Sequence, residues 1–407
     1  MKYNFIIGIL LLAFCSCKGT AQKEDIISKD FKFADGQFTF ALTEVEKALA
    51  QDSDAVRKRL VSPRTIKPDG SLGMVASRDW CSGFFPGSLW YMYEYSKDKK
   101  WETVARQFTD SIEREKTNGG THDMGFKVYC SFGNGYRLTK DSKYKDILLE
   151  SAYTLTTRYK PHAGIIRSWD HNKDKWQCPV IIDNMMNLEL LFWAFKESKD
   201  STFYNIAVNH AKTTMKNHFR SDYSTYHVID YDTITGEVLK RNTHQGLAHE
   251  STWARGEAWA IYGYTMSYRE TRIPEFLEQA KHIANFIFTN PNLPEDLIPY
   301  WDYNAPEIPN EPRDVSAATV TASALYELSL YDMANGVQYR KWADTILENL
   351  SNHYLAKPGA DRGFLLLHST GSKPSNSEVD VPLSYADYYF LEALLRKQKL
   401  ERNETLF

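Results

Sequence analysis

Cysteine is scarce in this sequence, with five among 407 residues, and two of the five lie within the first 17 positions. The other three, Cys81, Cys130 and Cys178, are odd in number and far apart, which excludes a disulfide framework. No Cys-x-x-Cys pair is present, so a zinc or redox motif of that kind is not expected. Because each of the three stands near aromatic residues, we expect buried free thiols.

Beyond the N-terminus, the sequence also lacks a strong charge of one sign, an internal linker and a long apolar run. The formal net charge is −3, which argues against a nucleic-acid-binding protein. The length would suggest two or three domains, but no Pro-, Gly- or Ser-rich stretch and no charge block divides the chain. We therefore expect a single large domain.

The N-terminus has the pattern of an export signal. Lys2 is followed by an apolar run from Phe5 to Phe14, which is too short to span a bilayer as a mature helix. Ser16-Cys17 resembles a relaxed bacterial lipobox with Cys17 as the lipidated residue. Ordinary signal-peptidase cleavage after Ala21 is the alternative.

These features predict a signal peptide over residues 1–21, a polar tether over 22–37 and a folded domain over 38–400. The protein is then exported to the periplasm or outer membrane of a Gram-negative bacterium. In the lipoprotein alternative, we expect a lipid on Cys17 to be its only contact with the membrane.

Aromatic residues are abundant, since 10 Trp, 25 Tyr and 21 Phe make up 14% of the chain. Exposed aromatic faces stack on sugar rings, so this excess is consistent with a carbohydrate-binding cleft. Most of the rings are expected to lie in a large helical core.

A unit of two helices recurs about six times along the chain. The first helix of each unit is apolar nearly all round, as expected for burial on both sides, and the second carries an apolar stripe at i, i+3, i+4 and i+7. Short turns such as Lys97-Asp98, Lys140-Asp141 and Lys199-Asp200 join the two. This pattern predicts an all-α fold, an (α/α)6 barrel with long loops at one rim; a more regular α-solenoid is the alternative. The predicted first helices are Gly83–Tyr95, Gly125–Leu138, Asn184–Lys196, Thr252–Tyr268, Val315–Leu330 and Leu383–Arg396.

One loop, residues 223–250, has the pattern of a β-hairpin. Residues alternate over Tyr226–Tyr231, and Thr235-Gly236 is typical of a turn. The sequence therefore predicts two short strands before the fourth buried helix.

Two aspartates, Asp123 and Asp183, stand at the head of apolar helices. A carboxylate in such surroundings loses solvation, which raises its pKa toward neutral pH and suits it to acid/base catalysis. Helix capping is the structural alternative for each. In a toroid, the loops before the buried helices converge at one rim, so we expect the two aspartates to lie near Trp80, Arg255 and Asp314.

Five ordered motifs resemble the unsaturated glucuronyl hydrolases of glycoside hydrolase family 88. The resemblance extends over about residues 40 to 397 and implies an (α/α)6 catalytic domain. The motifs are Arg78–Gly87, Thr121–Phe126, Ile182–Asn187, Ser251–Trp259 and Val381–Tyr389.

The resemblance implies hydration of the C4=C5 bond in a 4,5-unsaturated uronic acid at the non-reducing end of lyase-generated oligosaccharides. Glycosaminoglycan or ulvan fragments, sulfated or not, are the expected substrates, and no metal or organic cofactor is implied. Asp183 resembles the family's general acid/base and Asp123 its partner carboxylate. Further residues expected at the substrate are Trp80, His122, Trp169, His227, His244, Trp253, Arg255, Glu257 and Trp259.

The sequence departs from the family pattern at Glu257, where the motif usually reads Arg-Gly-Gln-Ala-Trp and the Gln contacts substrate. A carboxylate there would repel a uronate unless it is paired, for example with Arg255 or a histidine. A second segment, with Ser369, Ser372 and Lys373, loosely resembles one that binds a sulfate or carboxylate in some members.

Several other functions fit parts of the pattern. An unsaturated rhamnogalacturonyl hydrolase shares the fold and the chemistry, and an inverting glycosidase would use two carboxylates on saturated sugars. A sugar epimerase would need a pair of histidines in matching positions, which His227 and His244 do not occupy. A non-catalytic sugar-binding lipoprotein would bind the ligand without turnover.

Overall fold

The computed structural model describes residues 25–407, which form a ring of paired helices. Six inner helical segments surround the axis and six outer helices pack outside them. The inner set is α3 (Phe84–Ser96), a π-helix (Gly125–Gly133) continued by α5 (Asn134–Thr139), a 3-10 segment (Ile182–Asn187) continued by α7 (Leu188–Ser198), α9 (Ala254–Thr271), α11 (Val315–Leu328) and α13 (Ser384–Glu401). The outer set is α1 (Ile26–Gln51), α4 (Lys99–Asp110), α6 (Ser142–Thr156), α8 (Ser201–Asn217), α10 (Pro274–Thr289) and α12 (Gly336–Asn349), and α2 (Ala55–Lys58) is a single turn.

The inner helices close on themselves. Each packs against the next around the axis, and α13 packs against both α11 and α3. The N-terminal helix α1 packs against α13 and α3, which completes the outer layer. The predicted (α/α)6 barrel is therefore confirmed, and its closure excludes an open solenoid.

A shared turn ends the first three inner helices. Lys97, Lys140 and Lys199 lie in the left-handed region at φ 57°, 59° and 64°, which stops each helix. The aspartate that follows each lysine caps the outer helix, because its carboxylate accepts a backbone N–H two residues further on. The Lys-Asp dipeptides of the sequence thus form the hairpin turns of the ring.

Removal of one of these caps has a measurable cost. Replacement of Asp200 by Ala removes the acceptor for the Thr202 N–H at 2.9 Å, and we expect the denaturation midpoint to fall measurably. Chemical denaturation monitored by circular dichroism measures this change. Asp200→Asn, which keeps a capping oxygen, is the control and should lose much less.

Short strands lie at the rim that carries the long loops. The pair β6 (Val228–Tyr231) and β7 (Val238–Asn242) is the hairpin predicted from the sequence, with register Val228 to Asn242. A third strand, β5 (Pro179–Ile181), pairs with β6 and was not predicted. The remaining strands are β1 (Leu60–Ile66) with β2 (Leu72–Ala76), and β3 (Tyr159–Lys160) with β4 (Ile165–Ile166).

The predicted polar tether is wrong over most of its length. Residues 26–37 belong to α1, where Ile27, Phe31 and Ala34 are buried in the main core and Phe31 stacks on Tyr95. Apolar residues spaced at three and four positions bring this segment onto the ring, which the polar residues between them obscured in the sequence.

Other predictions have separate outcomes. Cys81, Cys130 and Cys178 are buried and free, as predicted. The predicted signal peptide and its Cys17 lie outside the described residues. Within residues 25–407, no helix combines the length and apolarity needed to cross a membrane.

Candidate active site

The loops that precede the first three inner helices meet at one rim of the barrel. The backbone at Gly125 approaches Asn187 so closely that a Cβ would lie 2.7 Å from the Asn187 Cα. The Asn187 side chain also accepts the Phe126 N–H at 3.1 Å. Glycine at 125 is therefore what lets the Asp123 loop and the Asp183 segment come together.

Asp183 is buried at the start of the 3-10 segment and is 7% exposed. Desolvation by burial raises its pKa to about 7, the positive charge of Arg255 opposes the rise, and the negative charge of Asp123 adds to it. The Oδ2 atom has no hydrogen-bond partner among the described residues. Asp183 can thus carry a proton near neutral pH and present it to a ligand.

His227 faces Asp183, with Nε2 3.7 Å from Oδ2. Its Nδ1 accepts the backbone N–H groups of His244 and Gln245, each at 3.1 Å. Because Nδ1 is occupied as an acceptor, the hydrogen of the neutral ring must be on Nε2. Burial lowers the pKa of His227 well below its usual value, so the ring is a neutral donor directed at Asp183.

Asp123 is held by its immediate neighbours. The Thr121 hydroxyl donates to Oδ2 at 2.5 Å, and Nε2 of His122 lies 3.1 Å from Oδ1. His122 is buried, and desolvation lowers its pKa, so it is a neutral donor to the carboxylate. The side chain of Asp123 is 19% exposed, which leaves it open to a ligand.

The geometry predicts a pH dependence in which activity falls on the alkaline side. An acid at position 183 must be protonated to act, and its pKa is raised to about 7. We therefore expect kcat/KM to be level in mildly acidic solution and to fall by about tenfold per pH unit well above neutrality. Measurement of kcat/KM from acidic to alkaline pH tests this; a decline centred near the ordinary aspartate pKa would contradict it.

Trp80 and Trp169 are half-buried on two sides of the site. Trp80 packs edge-on against Phe126 at 5.5 Å and close to Tyr385 at 4.9 Å. Trp169 lies 5.6 Å from the ring of His244. The backbone N–H of His244 donates to His227, so Trp169 is close to the site. All of these predicted residues are therefore brought to one rim, with aromatic faces partly open.

Arg255 is fully buried and is used inside the protein. Its guanidinium donates to Asp314 at 2.5 Å and to the carbonyls of Thr370 and Gly371 at 2.6 Å each. It also lies over the ring of Trp253, 4.5 Å from the centroid. Arg255 thus secures the loop at 370–371 and sets the electrostatic environment of Asp183.

Trp253 and Trp259 support the site from below. They are 2% and 0% exposed, so they cannot offer a stacking face to a sugar. Trp253 packs against His227 at 4.5 Å, and Trp259 packs against Phe126 at 5.1 Å.

The expectation that Glu257 contacts substrate is wrong for this structure. Its Oε1 accepts the backbone N–H of Thr225 at 2.7 Å and the Thr225 hydroxyl at 2.8 Å. The side chain is fully buried, and desolvation raises its pKa to about 8. It therefore pairs with neither Arg255 nor a histidine. On the helix α9, positions 255 and 257 point in different directions, which a linear motif does not reveal.

The expected oxyanion site at Ser369, Ser372 and Lys373 is not assembled. Ser369 is fully buried, and its backbone pairs with Val381. Lys373 forms an ion pair with Glu311, so its charge is already neutralised. The Ser372 hydroxyl donates to Ser375 at 3.1 Å. The three polar groups have separate partners.

Two residues at the rim were missed in the sequence. Gln245 donates to the Gly371 carbonyl at 3.1 Å and lies beside His227.

Arg64, on β1, is the second of these residues. It lies over the Trp80 ring at 5.7 Å and pairs with Asp79 at 3.0 Å and Glu378 at 2.6 Å. The position of Gln245 next to His244 was a usable signal, whereas nothing in the sequence around Arg64 pointed to the site.

A closed (α/α)6 ring with a buried acid, a second carboxylate and an aromatic rim defines a carbohydrate-active hydrolase. Residues 53–340 match the family model for Glycosyl Hydrolase Family 88. The chain belongs to this family and is a glycosidase.

Known relatives agree with the family. An unsaturated glucuronyl hydrolase from Formosa agariphila is 55% identical over 328 residues, 80% of this chain and 82% of that protein. A crystal structure of an unsaturated glucuronyl hydrolase specific for heparin is 48% identical with a TM-score of 0.87, and the match covers 94% of this chain and all of that one. A variant of the Streptococcus agalactiae enzyme complexed with dGlcA-GalNAc6S is 29% identical with a TM-score of 0.74, covering 91% of both chains.

Proposed function

We propose that this protein uses Asp183 to hydrate the C4=C5 bond of a 4,5-unsaturated uronic acid on glycosaminoglycan-type oligosaccharides. The protein is an unsaturated glucuronyl hydrolase. The single observation that carries the assignment of the acid is the buried Asp183, whose pKa is raised to about 7 and whose Oδ2 has no hydrogen-bond partner among the described residues.

The reaction proceeds by protonation and addition of water. Asp183 gives its proton to C4, and positive charge develops at C5 next to the ring oxygen. Water adds at C5 and returns a proton to Asp183, which leaves a hemiketal. The hemiketal opens to a ketone at C5 and a hemiacetal at C1. The hemiacetal then collapses to an aldehyde, the C1–O bond to the remaining sugar breaks, and the glycosidic oxygen leaves with that sugar as a hydroxyl.

The neighbouring groups have distinct roles. Asp123, held by Thr121 and His122, accepts hydrogen bonds from ring hydroxyls and raises the pKa of Asp183 through its charge. The Nε2–H of His227 orients the Asp183 carboxyl or a bound oxygen beside it. Trp80 and Trp169 hold the sugar rings from two sides.

Glycosaminoglycan fragments are the favoured substrates because one similar structure is of an enzyme specific for heparin and another holds dGlcA-GalNAc6S. A panel of lyase-generated disaccharides tests the proposal, with turnover followed as loss of the ultraviolet absorbance of the C4=C5 bond. Saturated disaccharides are the matched controls and should not be cleaved. Turnover of rhamnogalacturonan-derived but not uronate-glycosamine disaccharides would overturn the substrate class.

Export as a lipoprotein is the proposed location. Lys2, the apolar run Phe5 to Phe14 and Ser16-Cys17 support it. Expression in a Gram-negative host with labelled fatty acid should place label on the wild type and none on Cys17→Ser. An unlabelled, soluble wild type with its N-terminus at residue 22 would instead indicate ordinary signal-peptide cleavage.

A further inference from the structure

A groove lined by basic side chains is formed in part by the segments that lead into the proposed active site. It has a volume of about 510 Å³, and its lining includes Arg57, Lys58, Arg59, Arg78 and Arg114. Glu115 is the only carboxylate in the lining. We name this feature the basic groove.

Three of the five cations are available to a ligand. Arg57 pairs with Asp54 at 2.7 Å and Lys58 with Asp52 at 2.8 Å. Within residues 25–407, neither Arg59 nor Arg78 has a carboxylate oxygen within 4.0 Å. Both side chains are exposed.

Arg114 is the third available cation, because the one carboxylate near it already pairs with another residue. It lies 3.9 Å from Glu115. Glu115 accepts from Ser77 at 2.7 Å and from Asn118 at 2.7 Å, and the buried Lys127 lies 3.3 Å away. The Glu115 charge is thus neutralised by Lys127, and the groove keeps an excess of positive charge.

The walls of the basic groove are fixed in place. Arg59 adopts φ 57° at the end of the turn α2, and its carbonyl accepts the Ser77 N–H at 3.3 Å. The Ser77 hydroxyl in turn bonds to Glu115, which joins the strand β2 to the segment at 113–117. Arginines mounted on a braced surface lose less freedom when they bind than arginines on a mobile loop.

The same segments continue into the active site. Ala76 to Arg78 lead directly into Asp79 and Trp80, and Thr117 and Asn118 lie a few residues before Asp123. Lys127, behind the groove, donates its backbone N–H to the Asp123 carbonyl at 3.0 Å. A sugar chain that extends from Trp80 along the segment of Arg78 would reach these arginines.

We infer that the basic groove binds sulfate or carboxylate groups on sugars beyond the disaccharide of a longer oligosaccharide substrate. Guanidinium groups bind such oxyanions in a bidentate, charge-assisted manner. Oligosaccharides of the glycosaminoglycan type carry one or more of these groups on each repeating unit. This inference rests on the proposed function, and it adds a site for the distal part of the same substrate class.

The test is a triple variant, Arg59→Asn/Arg78→Gln/Arg114→Gln. Asparagine is chosen at 59 because it tolerates the left-handed backbone. We expect KM for a sulfated unsaturated tetrasaccharide to rise about tenfold, since exposed ion pairs contribute modestly and additively. The kcat/KM for the unsaturated disaccharide should stay within about twofold, because the disaccharide does not reach the groove. In about 1 M salt, where the screening length is about 3 Å, wild type and variant should converge on the tetrasaccharide.

The control removes three exposed cations elsewhere, Arg340→Gln/Lys341→Gln/Arg402→Asn, and should leave both substrates unaffected. Equal changes for the two substrates, or an unchanged tetrasaccharide KM in the groove variant, would overturn the inference. Calorimetric titration of the tetrasaccharide into Asp183→Asn, with and without the triple change, measures the groove independently of turnover. If wild type turns over no unsaturated disaccharide, the proposed function fails, while weaker binding of the tetrasaccharide to the combined variant still supports the groove.

Discussion

Asp183→Asn should reduce kcat on an unsaturated disaccharide by a factor on the order of a thousand or more, because an amide cannot donate the proton to C4. Asparagine has nearly the same shape, so the substrate should still bind with a dissociation constant close to that of the wild type. Loss of absorbance at the C4=C5 bond measures turnover, and calorimetric titration measures binding. A variant with near wild-type kcat would remove Asp183 from the mechanism.

Asp387→Asn is the matched control. Asp387 is also buried with a pKa raised by desolvation, to about 8, but its oxygens accept the backbone N–H groups of Leu365 and Leu366. Both oxygens of Asp387 therefore have partners within the protein. We expect the activity of the Asp387→Asn variant to stay within a few-fold of that of the wild type. The two carboxyl groups share a raised pKa, but only Asp183 has an oxygen without a partner in the described residues. The comparison therefore tests whether that oxygen, and not the raised pKa alone, is needed for activity.

Arg255→Met should be the most destabilising single change at the site. The change leaves the buried Asp314 carboxylate without its cationic partner. It also removes the guanidinium that donates to the carbonyls of Thr370 and Gly371, so we expect the free energy of unfolding to fall by about 3–5 kcal/mol. Chemical denaturation measures the loss. Activity should fall as well, because the loop at 370–371 is no longer held.

A double variant tests whether the unpaired charge is the cause. Arg255→Met/Asp314→Asn should be less destabilised than the sum of the two single variants, since it leaves no isolated buried carboxylate. Strict additivity would mean that Arg255 acts through the loop carbonyls alone. Arg340→Met, on the surface, should have little effect.

The ring of helices was predictable because each element carries its own signal. The Lys-Asp turns mark where inner helices end, and the apolar periodicity of α10 identifies an outer helix. The hairpin of β6 and β7 followed from alternation and a Thr-Gly turn. Strand β5 was missed because its three residues are too few for a pattern, and it is stabilised by its partner β6.

The two aspartates were also predictable, whereas their surroundings were not. Sequence motifs identified Asp123 and Asp183 as the candidate catalytic residues. The direction of a neighbouring side chain, however, depends on helix rotation and loop packing. Glu257 therefore proved to be bonded to Thr225, and Lys373 to Glu311. Arg64 lies more than three hundred residues from its partner Glu378, a pairing that only the closed ring creates.

The short left-handed turns of the hairpins have a consequence for how such enzymes diversify. They lie at the ends of the inner helices, opposite the rim where the loops of varying length begin. Insertions into those loops leave the tight turns, and hence the closure of the barrel, untouched. Substrate range can change at one end of the molecule while the other end preserves its foldability.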